Sequence, residues 1–173
     1  SKGYLAMGKD ALKIGADTFQ FFTRNPRGGK AKEIDETDVA AFLQLAVEKR
    51  FTHILAHAPY TMNLASGKPE VYEFACDVIR EDIARMDALG IELIVLHPGS
   101  HTGIGSESGI RNIIRGLNQA IREEQNIMVL LETMSGKGTE VGYRFEELKA
   151  IREGVEHPEK VGICLDTCHV WDG

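Results

Sequence analysis

Cysteine is scarce in this sequence, and no long apolar segment is present. The 173 residues include only Cys76, Cys164 and Cys168, which are too few for a disulfide framework and fit a reducing compartment. No apolar run approaches the roughly 18–20 residues that cross a bilayer, and no signal peptide is recognisable. We therefore expect a cytoplasmic globular protein that does not contact a membrane.

Positive charge is also in the minority. Lysine and arginine number 20 against 26 acidic residues, which gives a net charge of -6. This balance argues against a general nucleic-acid coat, but it leaves room for a local basic site. A hydrophobic content of 43% is ordinary for a globular protein. We expect one domain over residues 1–173.

Helical and extended patterns alternate along the chain. Apolar residues recur at helical spacing in segments such as 38–50, and short apolar runs lie between these segments. Gly15 suits the end of the first helix, Pro69 the start of the third, and Ser106 the N-cap of the fourth. The order αβαβαβαβαβ predicts a parallel sheet covered by helices. Two folds fit: an open doubly wound sheet, or five β/α units of a (β/α)8 TIM barrel.

Four of the apolar runs end on a residue that can bind a metal: His57, His97, Glu132 and Asp166. The steps between them are 40, 35 and 34 residues, about the length of one β/α unit. Barrel active sites draw residues from the ends of several strands, whereas an open sheet concentrates its site at one switch point. The pattern favours the barrel.

The donor types indicate which metal would bind. His169 follows Asp166 closely and can reach the same site, so histidine nitrogens and carboxylate oxygens dominate, as suits Zn²⁺ or Mn²⁺. Glu132 is central in strand order and could bridge two metals. We expect Cys164, Asp166 and Cys168 to share one face of a final strand that reaches Asp166, with both cysteines packed in the interior.

A single histidine at a strand end is more often structural than a ligand, but four equivalent positions make coincidence a poor explanation. His97 and His101 have the spacing of a metal-binding helix, yet Pro98 and Gly99 disfavour a helix there. We expect His101 to lie near the site without binding metal.

A basic loop, residues 24–32, follows the first strand. It contains no acidic residue and four cations, namely Arg24, Arg27, Lys30 and Lys32. Such a loop is usually a solvated surface. Here it follows a strand on the face where the candidate ligands gather, so contact with phosphate is an equal alternative.

The chain carries a set of short motifs: Thr23-Arg-Asn-Pro-Arg27, His57-Ala-Pro-Tyr60, Leu96-His-Pro-Gly-Ser-His101, Glu132-Thr-Met-Ser-Gly-Lys-Gly138, Gly142-Tyr-Arg-Phe145 and Cys164-Leu-Asp-Thr-Cys-His169. Together they resemble the endonuclease IV family, zinc-dependent apurinic/apyrimidinic endonucleases of DNA base-excision repair with a TIM-barrel fold. The resemblance covers the whole chain.

The resemblance implies a site with three Zn²⁺ ions in the complete enzyme, with Mn²⁺ as an alternative. His57, His97 and Glu132 would hold one ion. Glu132, the expected catalytic carboxylate, would bridge to a second ion bound by Asp166, and His169 would bind the third.

The implied reaction is hydrolysis of double-stranded DNA 5′ to an abasic site, leaving a 3′-hydroxyl. Arg27 and Tyr60 match family positions that enter DNA, and Arg24 and Lys30 of the basic loop join them as expected DNA contacts. The family has one strand before this sequence and two after it. We therefore expect the complete enzyme to be a monomer, and this chain alone to be inactive and to self-associate through open sheet edges.

Two alternatives stay open. One is a xylose-isomerase-like sugar isomerase or epimerase, which shares the barrel and uses one or two divalent metals. The basic loop and the third-metal histidine argue against it. The other is a metal-bearing DNA-binding scaffold without turnover.

Overall fold

A computed structural model describes residues 3–173 and shows strands alternating with helices. The helices are α1 (Tyr4–Lys13), α2 (Glu36–Lys49), α3 (Pro69–Ala88), α4 (Ser106–Ala120), α5 (Phe145–Gly154) and α6 (Thr167–Asp172). The strands are β1 (Gln20–Phe22), β2 (Leu55–His57), β3 (Leu93–Leu96), β4 (Gly99–Ser100), β5 (Met128–Glu132), β6 (Glu140–Val141) and β7 (Val161–Cys164). The single domain predicted over residues 1–173 includes Ser1 and Lys2, which lie outside the described residues.

Five of the strands form one parallel sheet in the order β1-β2-β3-β5-β7. Each strand of this sheet is added beside the preceding one, and a helix lies in between. A doubly wound sheet reverses its strand order at a switch point, whereas a β/α barrel does not. The barrel prediction is confirmed, and the described residues supply five strands of a fold that has eight when closed. β4 and β6 form a separate antiparallel pair.

Helices cover one face of the parallel sheet and form the core with it. Ala56, Ile94, Val129 and Leu131 point to this face and are completely buried. The helices contribute buried side chains of their own, among them Ile79, Met86, Ile113, Leu117 and Ile151. Burial of this apolar surface, at about 25 cal/mol per Å², is what holds the helices against the strands.

The other face of the sheet corresponds to the inside of the barrel. Leu55, Leu93 and Leu130 point to it and are only half-buried. Side chains alternate along a strand, so His57 and Glu132, each two residues further on, share this face. The inner face therefore leads directly to the candidate ligands.

The helix ends follow from local sequence, with one difference from expectation. Asp35 caps α2 by accepting hydrogen bonds from the backbone N–H groups of Thr37 and Asp38, and Pro69 opens α3 as predicted. Gly105, not Ser106, is the N-cap of α4. The Ser106 hydroxyl instead donates to Glu147 Oε1 at 2.5 Å.

Among the helices described, none is both long and apolar enough to cross a membrane.

The last strand is shorter than predicted. β7 ends at Cys164, and Asp166 is the N-cap of α6, where its Oδ1 accepts from the backbone N–H of His169 at 2.8 Å. Strand alternation therefore does not extend to Cys168, which is exposed, whereas Cys164 is partly buried. The prediction that both cysteines pack in the interior is wrong for Cys168, because the capping hydrogen bond turns the chain into a helix.

The buried face makes a prediction about stability. Ile79→Ala should lower the free energy of unfolding by about 2–5 kcal/mol, because Ile79 is completely buried between α3 and the sheet and its loss leaves a cavity. Val47→Ala, at an α2 position that is 81% exposed, should change it by less than about 0.5 kcal/mol. Urea denaturation measures both variants, and equal losses would contradict this account of the core.

Candidate metal centre

The five predicted metal ligands come together at one edge of the sheet, where the parallel strands end. His57 and Glu132 are the last residues of β2 and β5, and His97 directly follows β3. Asp166 lies two residues beyond β7, and His169 lies in the first turn of α6. Because parallel strands all end at the same edge, residues far apart in sequence become neighbours. We refer to these five residues as the ligand cluster.

Glu132 lies at the centre of the ligand cluster. Its Oε2 is 3.0 Å from His57 Nε2 and 3.4 Å from His97 Nε2, and its Oε1 is 3.2 Å from His169 Nδ1. Two groups of donor atoms lie within 4.8 Å of one another: His57, His97 and Glu132 in one, and Glu132, Asp166 and His169 in the other. Glu132 belongs to both groups, as expected for a bridging carboxylate.

The charge on Glu132 is stabilised by its neighbours. Burial raises the pKa of this carboxyl group, but hydrogen bonds with His57 and His97 outweigh burial and hold the pKa at about 2. An ionised carboxylate that is nearly buried requires a cationic or hydrogen-bonding partner. The site therefore favours positive charge beside Glu132.

The histidine rings are oriented by backbone carbonyl groups. His57 Nδ1 is 2.6 Å from Ala58 O, and His169 Nδ1 is 2.9 Å from Thr133 O. When Nδ1 carries the proton and donates it to the carbonyl oxygen, Nε2 keeps a lone pair, which is the form in which histidine binds metals. His57 Nε2 lies 3.0 Å from Glu132 Oε2, so either a proton carried by Nε2 or a bound cation has to lie between these two atoms.

The donor set is made of nitrogen and oxygen. Burial raises the pKa of the Cys164 thiol, and the carboxylates of Glu132 and Asp166 raise it further. A protonated thiol is a poor metal ligand. Three imidazoles and two carboxylates suit a divalent ion such as Zn²⁺ or Mn²⁺, and the cluster therefore fits the metal type expected from sequence.

Thr133 also shapes the site, although the sequence did not single it out. Its buried hydroxyl accepts from the backbone N–H of Asp166 at 2.9 Å, and its backbone carbonyl orients His169. Thr133 thus fixes the β7–α6 turn against the end of β5. In the sequence, the feature that could have pointed to Thr133 is its position directly after the predicted ligand Glu132.

Aromatic side chains form the rim of the ligand cluster. The Tyr60 ring is 5.8 Å from His57, 5.4 Å from His97 and 5.0 Å from Phe22, and its side chain is 57% exposed. An exposed aromatic ring beside a metal-type cluster is available to stack on a ligand. The role of Tyr60 as a DNA contact stays a prediction.

His101 lies in the loop that leads into α4. Its Nδ1 accepts hydrogen bonds from the backbone N–H groups of Gly103 and Gly105, each at 3.2 Å. These contacts shape the loop, and within the described part of the chain the ring is not one of the grouped donors. A role for His101 near the site without metal binding stays a prediction.

The basic loop lies beside the rim, but only part of its charge faces solvent. The backbone N–H of Tyr60 donates to Pro26 O at 3.0 Å, which joins the loop to the rim. Arg27 and Lys30 are exposed, as a DNA contact requires. Arg24 is not: its side chain is 1% exposed and is paired with Asp82. The structure therefore removes Arg24 from the expected DNA contacts, because Asp82 draws its guanidinium inside.

Comparison with known proteins shows where the chain belongs. The family model described as xylose isomerase-like TIM barrel matches residues 9–173. The chain is 56% identical over 172 residues to a protein of Alkaliphilus oremlandii named probable endonuclease 4, and the match covers 99% of this chain and 61% of that protein. The chain thus spans about three fifths of the length of this relative.

Solved structures agree on the fold. The crystal structure of endonuclease IV from Thermus thermophilus superposes with a TM-score of 0.84 at 28% identity, covering 99% of this chain and 61% of that one. A D-psicose 3-epimerase from Clostridium cellulolyticum H10 gives a TM-score of 0.75 at 16% identity, covering 98% and 60%. This second likeness shows the fold alone. The chain belongs to the xylose isomerase-like TIM barrel family, and within it resembles the endonuclease 4 proteins.

Proposed function

We propose that the protein carrying this chain is a metal-dependent endonuclease of base-excision repair. It would hydrolyse the phosphodiester bond 5′ to an abasic site in double-stranded DNA and leave a 3′-hydroxyl. The observation that carries the proposal is the Glu132 carboxylate, shared by two groups of donor atoms at the end of the parallel sheet. The relatives named endonuclease 4 share more than half of the aligned residues, and they supply the reaction class.

The proposed metal is Zn²⁺, with three ions in the complete enzyme and Mn²⁺ as an alternative. His57, His97 and Glu132 would hold one ion, Glu132 and Asp166 a second, and His169 a third. Bound zinc lowers the pKa of water towards neutrality and stabilises negative charge on phosphate oxygens. The role of this chain is to supply an ionised carboxylate and histidine rings oriented by backbone carbonyl groups.

The aromatic rim and the basic loop would together bind the DNA. Arg27 and Lys30 are exposed cations that can pair with phosphates, and the exposed ring of Tyr60 can stack on a base or sugar. Extruding a nucleotide costs unstacking energy, and the cost is least where the base is already missing. An aromatic rim next to a basic loop therefore suits a damaged duplex.

The sugar isomerase alternative is less well supported. The epimerase likeness rests on fold at 16% identity. A neutral sugar also has no use for the exposed cations of the basic loop, whereas a polyanion does.

The shared carboxylate predicts how metal content depends on each ligand. In the complete protein, Glu132→Gln should remove metal from both donor groups, whereas His57→Ala should affect only one, because only Glu132 belongs to both. Inductively coupled plasma mass spectrometry gives metal per chain. Glu92→Gln, an exposed carboxylate ahead of β3, is the control and should lose none. Equal losses for Glu132→Gln and His57→Ala would refute the bridging role.

The reaction is tested with the complete protein and an end-labelled duplex that carries one abasic site. We expect a nick 5′ to the site, extendable by a polymerase because it ends in a 3′-hydroxyl, and abolished by a chelator. An undamaged duplex of the same sequence should stay intact. If the metal-loaded protein leaves the abasic duplex uncut, the endonuclease proposal fails. Sugar turnover would then favour the isomerase, and its absence the scaffold.

The basic loop predicts a salt-dependent contribution to DNA affinity. Arg27→Ala should weaken binding of the abasic duplex about three- to tenfold at low salt and reduce the slope of log K against log salt by about 1, because one phosphate contact is lost. Metal content should not change. Lys49→Ala removes an exposed lysine at the opposite edge of the sheet and should leave the slope unchanged. A salt titration in which both variants match the wild type would exclude Arg27 from the interface.

A further inference from the structure

A buried ion pair joins the end of β1 to α3. The side chains of Arg24 and Asp82 are 1% and 0% exposed. Arg24 Nε lies 3.1 Å from Asp82 Oδ1, and its Nη2 contacts the same carboxylate oxygen. The Thr23 hydroxyl donates to Asp82 Oδ2 at 2.6 Å. Both carboxylate oxygens of Asp82 therefore accept hydrogen bonds. The pair lies outside the ligand cluster.

The ion pair is a costly way to fill a core position. Burial raises the pKa of Asp82, against the opposing effect of Arg24 and Thr23. Replacing a buried ion pair by apolar side chains of similar volume is often neutral or stabilising. Stability by itself therefore does not account for the pair.

The basic loop supplies another use for the pair. Arg24 Nη1 donates to the backbone carbonyl of Gly29 at 2.5 Å, and Arg85 Nη2 donates to that of Lys32 at 2.5 Å. Gly29 also rests against Phe74, since an added Cβ would lie 2.8 Å from that ring. Three side chains that pack on or belong to α3 thus hold one side of the loop.

The opposite side of the loop is held by the residues after β2. The Thr61 hydroxyl donates to Gly28 O at 3.3 Å, and the backbone N–H of Tyr60 donates to Pro26 O. Arg27 lies between the held residues Pro26 and Gly28, and Lys30 lies between Gly29 and Lys32, while both cationic side chains are exposed. Fixing the backbone while leaving the cations free lowers the entropy lost when the loop meets a polyanion.

We propose that Arg24 and Asp82 are positioning residues, whose buried ion pair anchors the basic loop to α3 and presents Arg27 and Lys30 beside the ligand cluster. The anchoring stands on the contacts themselves, while its use in DNA binding rests on the proposed function. Arg24 would act on DNA through the loop backbone and would not touch DNA itself.

The test replaces the pair by apolar residues in the complete protein. Arg24→Met/Asp82→Leu keeps side-chain volume in the core but removes the donor to Gly29. The matched control is Arg80→Met/Asp77→Leu, the same change at an exposed ion pair of α3, where Arg80 Nη1 is 3.1 Å from Asp77 Oδ1. Thermal unfolding verifies that each variant is folded.

Limited trypsin proteolysis reports on the loop without requiring activity. Cleavage after Arg27, Lys30 and Lys32 should be about tenfold faster in Arg24→Met/Asp82→Leu, because a hydrogen bond from a charged donor is lost. The control should match the wild type. Loop cleavage at the wild-type rate in the folded double variant would overturn the proposal.

DNA binding and metal content complete the test. The double variant should bind the abasic duplex about tenfold more weakly, with KM raised, kcat kept and metal content unchanged, whereas an effect on the ligand cluster would lower kcat and metal content. Faster loop cleavage with unaltered affinity would overturn the role in presentation. A wild-type protein that does not bind the duplex would refute the proposed function, and the proteolysis comparison would still decide the anchoring.

Arg24→Lys guards against a double variant that fails to fold. Lysine keeps the charge opposite Asp82 but lacks the planar fork that reaches Asp82 and Gly29 together. We expect a folded protein whose loop is cleaved faster than in the wild type. Wild-type cleavage in Arg24→Lys would count against the anchoring.

Discussion

The carboxylate of Glu132 is nearly buried, and a buried charge has to be compensated. Three histidine side chains from three other parts of the chain provide the compensation, with nitrogens 3.0–3.4 Å from its oxygens. This arrangement depends on a parallel sheet, whose strands all end at one edge, and on the addition of strands in chain order, which makes successive strand ends neighbours. The site therefore depends on the fold. The helices bury the outer face of the sheet and hold in place the strands whose ends carry the ligand cluster.

Around the ligand cluster, hydrogen bonds to backbone groups hold the candidate functional side chains in place. The carbonyls of Ala58 and Thr133 orient two histidines, and the Thr133 hydroxyl fixes the turn that carries Asp166. The basic loop is held by the converse arrangement, because the Arg24 side chain donates a hydrogen bond to the backbone carbonyl of Gly29. Rigid support of this kind places charges before a substrate arrives, which lowers the entropic cost of binding.

Sequence reasoning succeeded where a periodic signal existed and failed where a specific polar contact decided. The barrel followed from repeated strand ends one β/α unit apart, and the helix start at Pro69 from the fixed geometry of proline. Arg24 was misjudged, because its partner Asp82 lies 58 residues away on α3. Cys168 was misjudged because the capping hydrogen bond of Asp166 turns the chain into a helix where the apolar pattern predicted a strand.

By itself, the sequence determined the alternation of the five parallel strands with helices, the fold class and the identity of the five candidate ligands, because hydrophobic periodicity and residue type are properties of neighbours along the chain. It did not predict the strand pair β4 and β6 or the helix α6. The order of the strands also predicted Glu132 as a bridging carboxylate, and the tertiary structure places it in both donor groups. Only the tertiary structure separated the cations of the basic loop into the exposed Arg27 and Lys30 and the buried Arg24. The physical reason is that burial and charge pairing depend on which distant residues share a location, and a one-dimensional pattern does not contain that information.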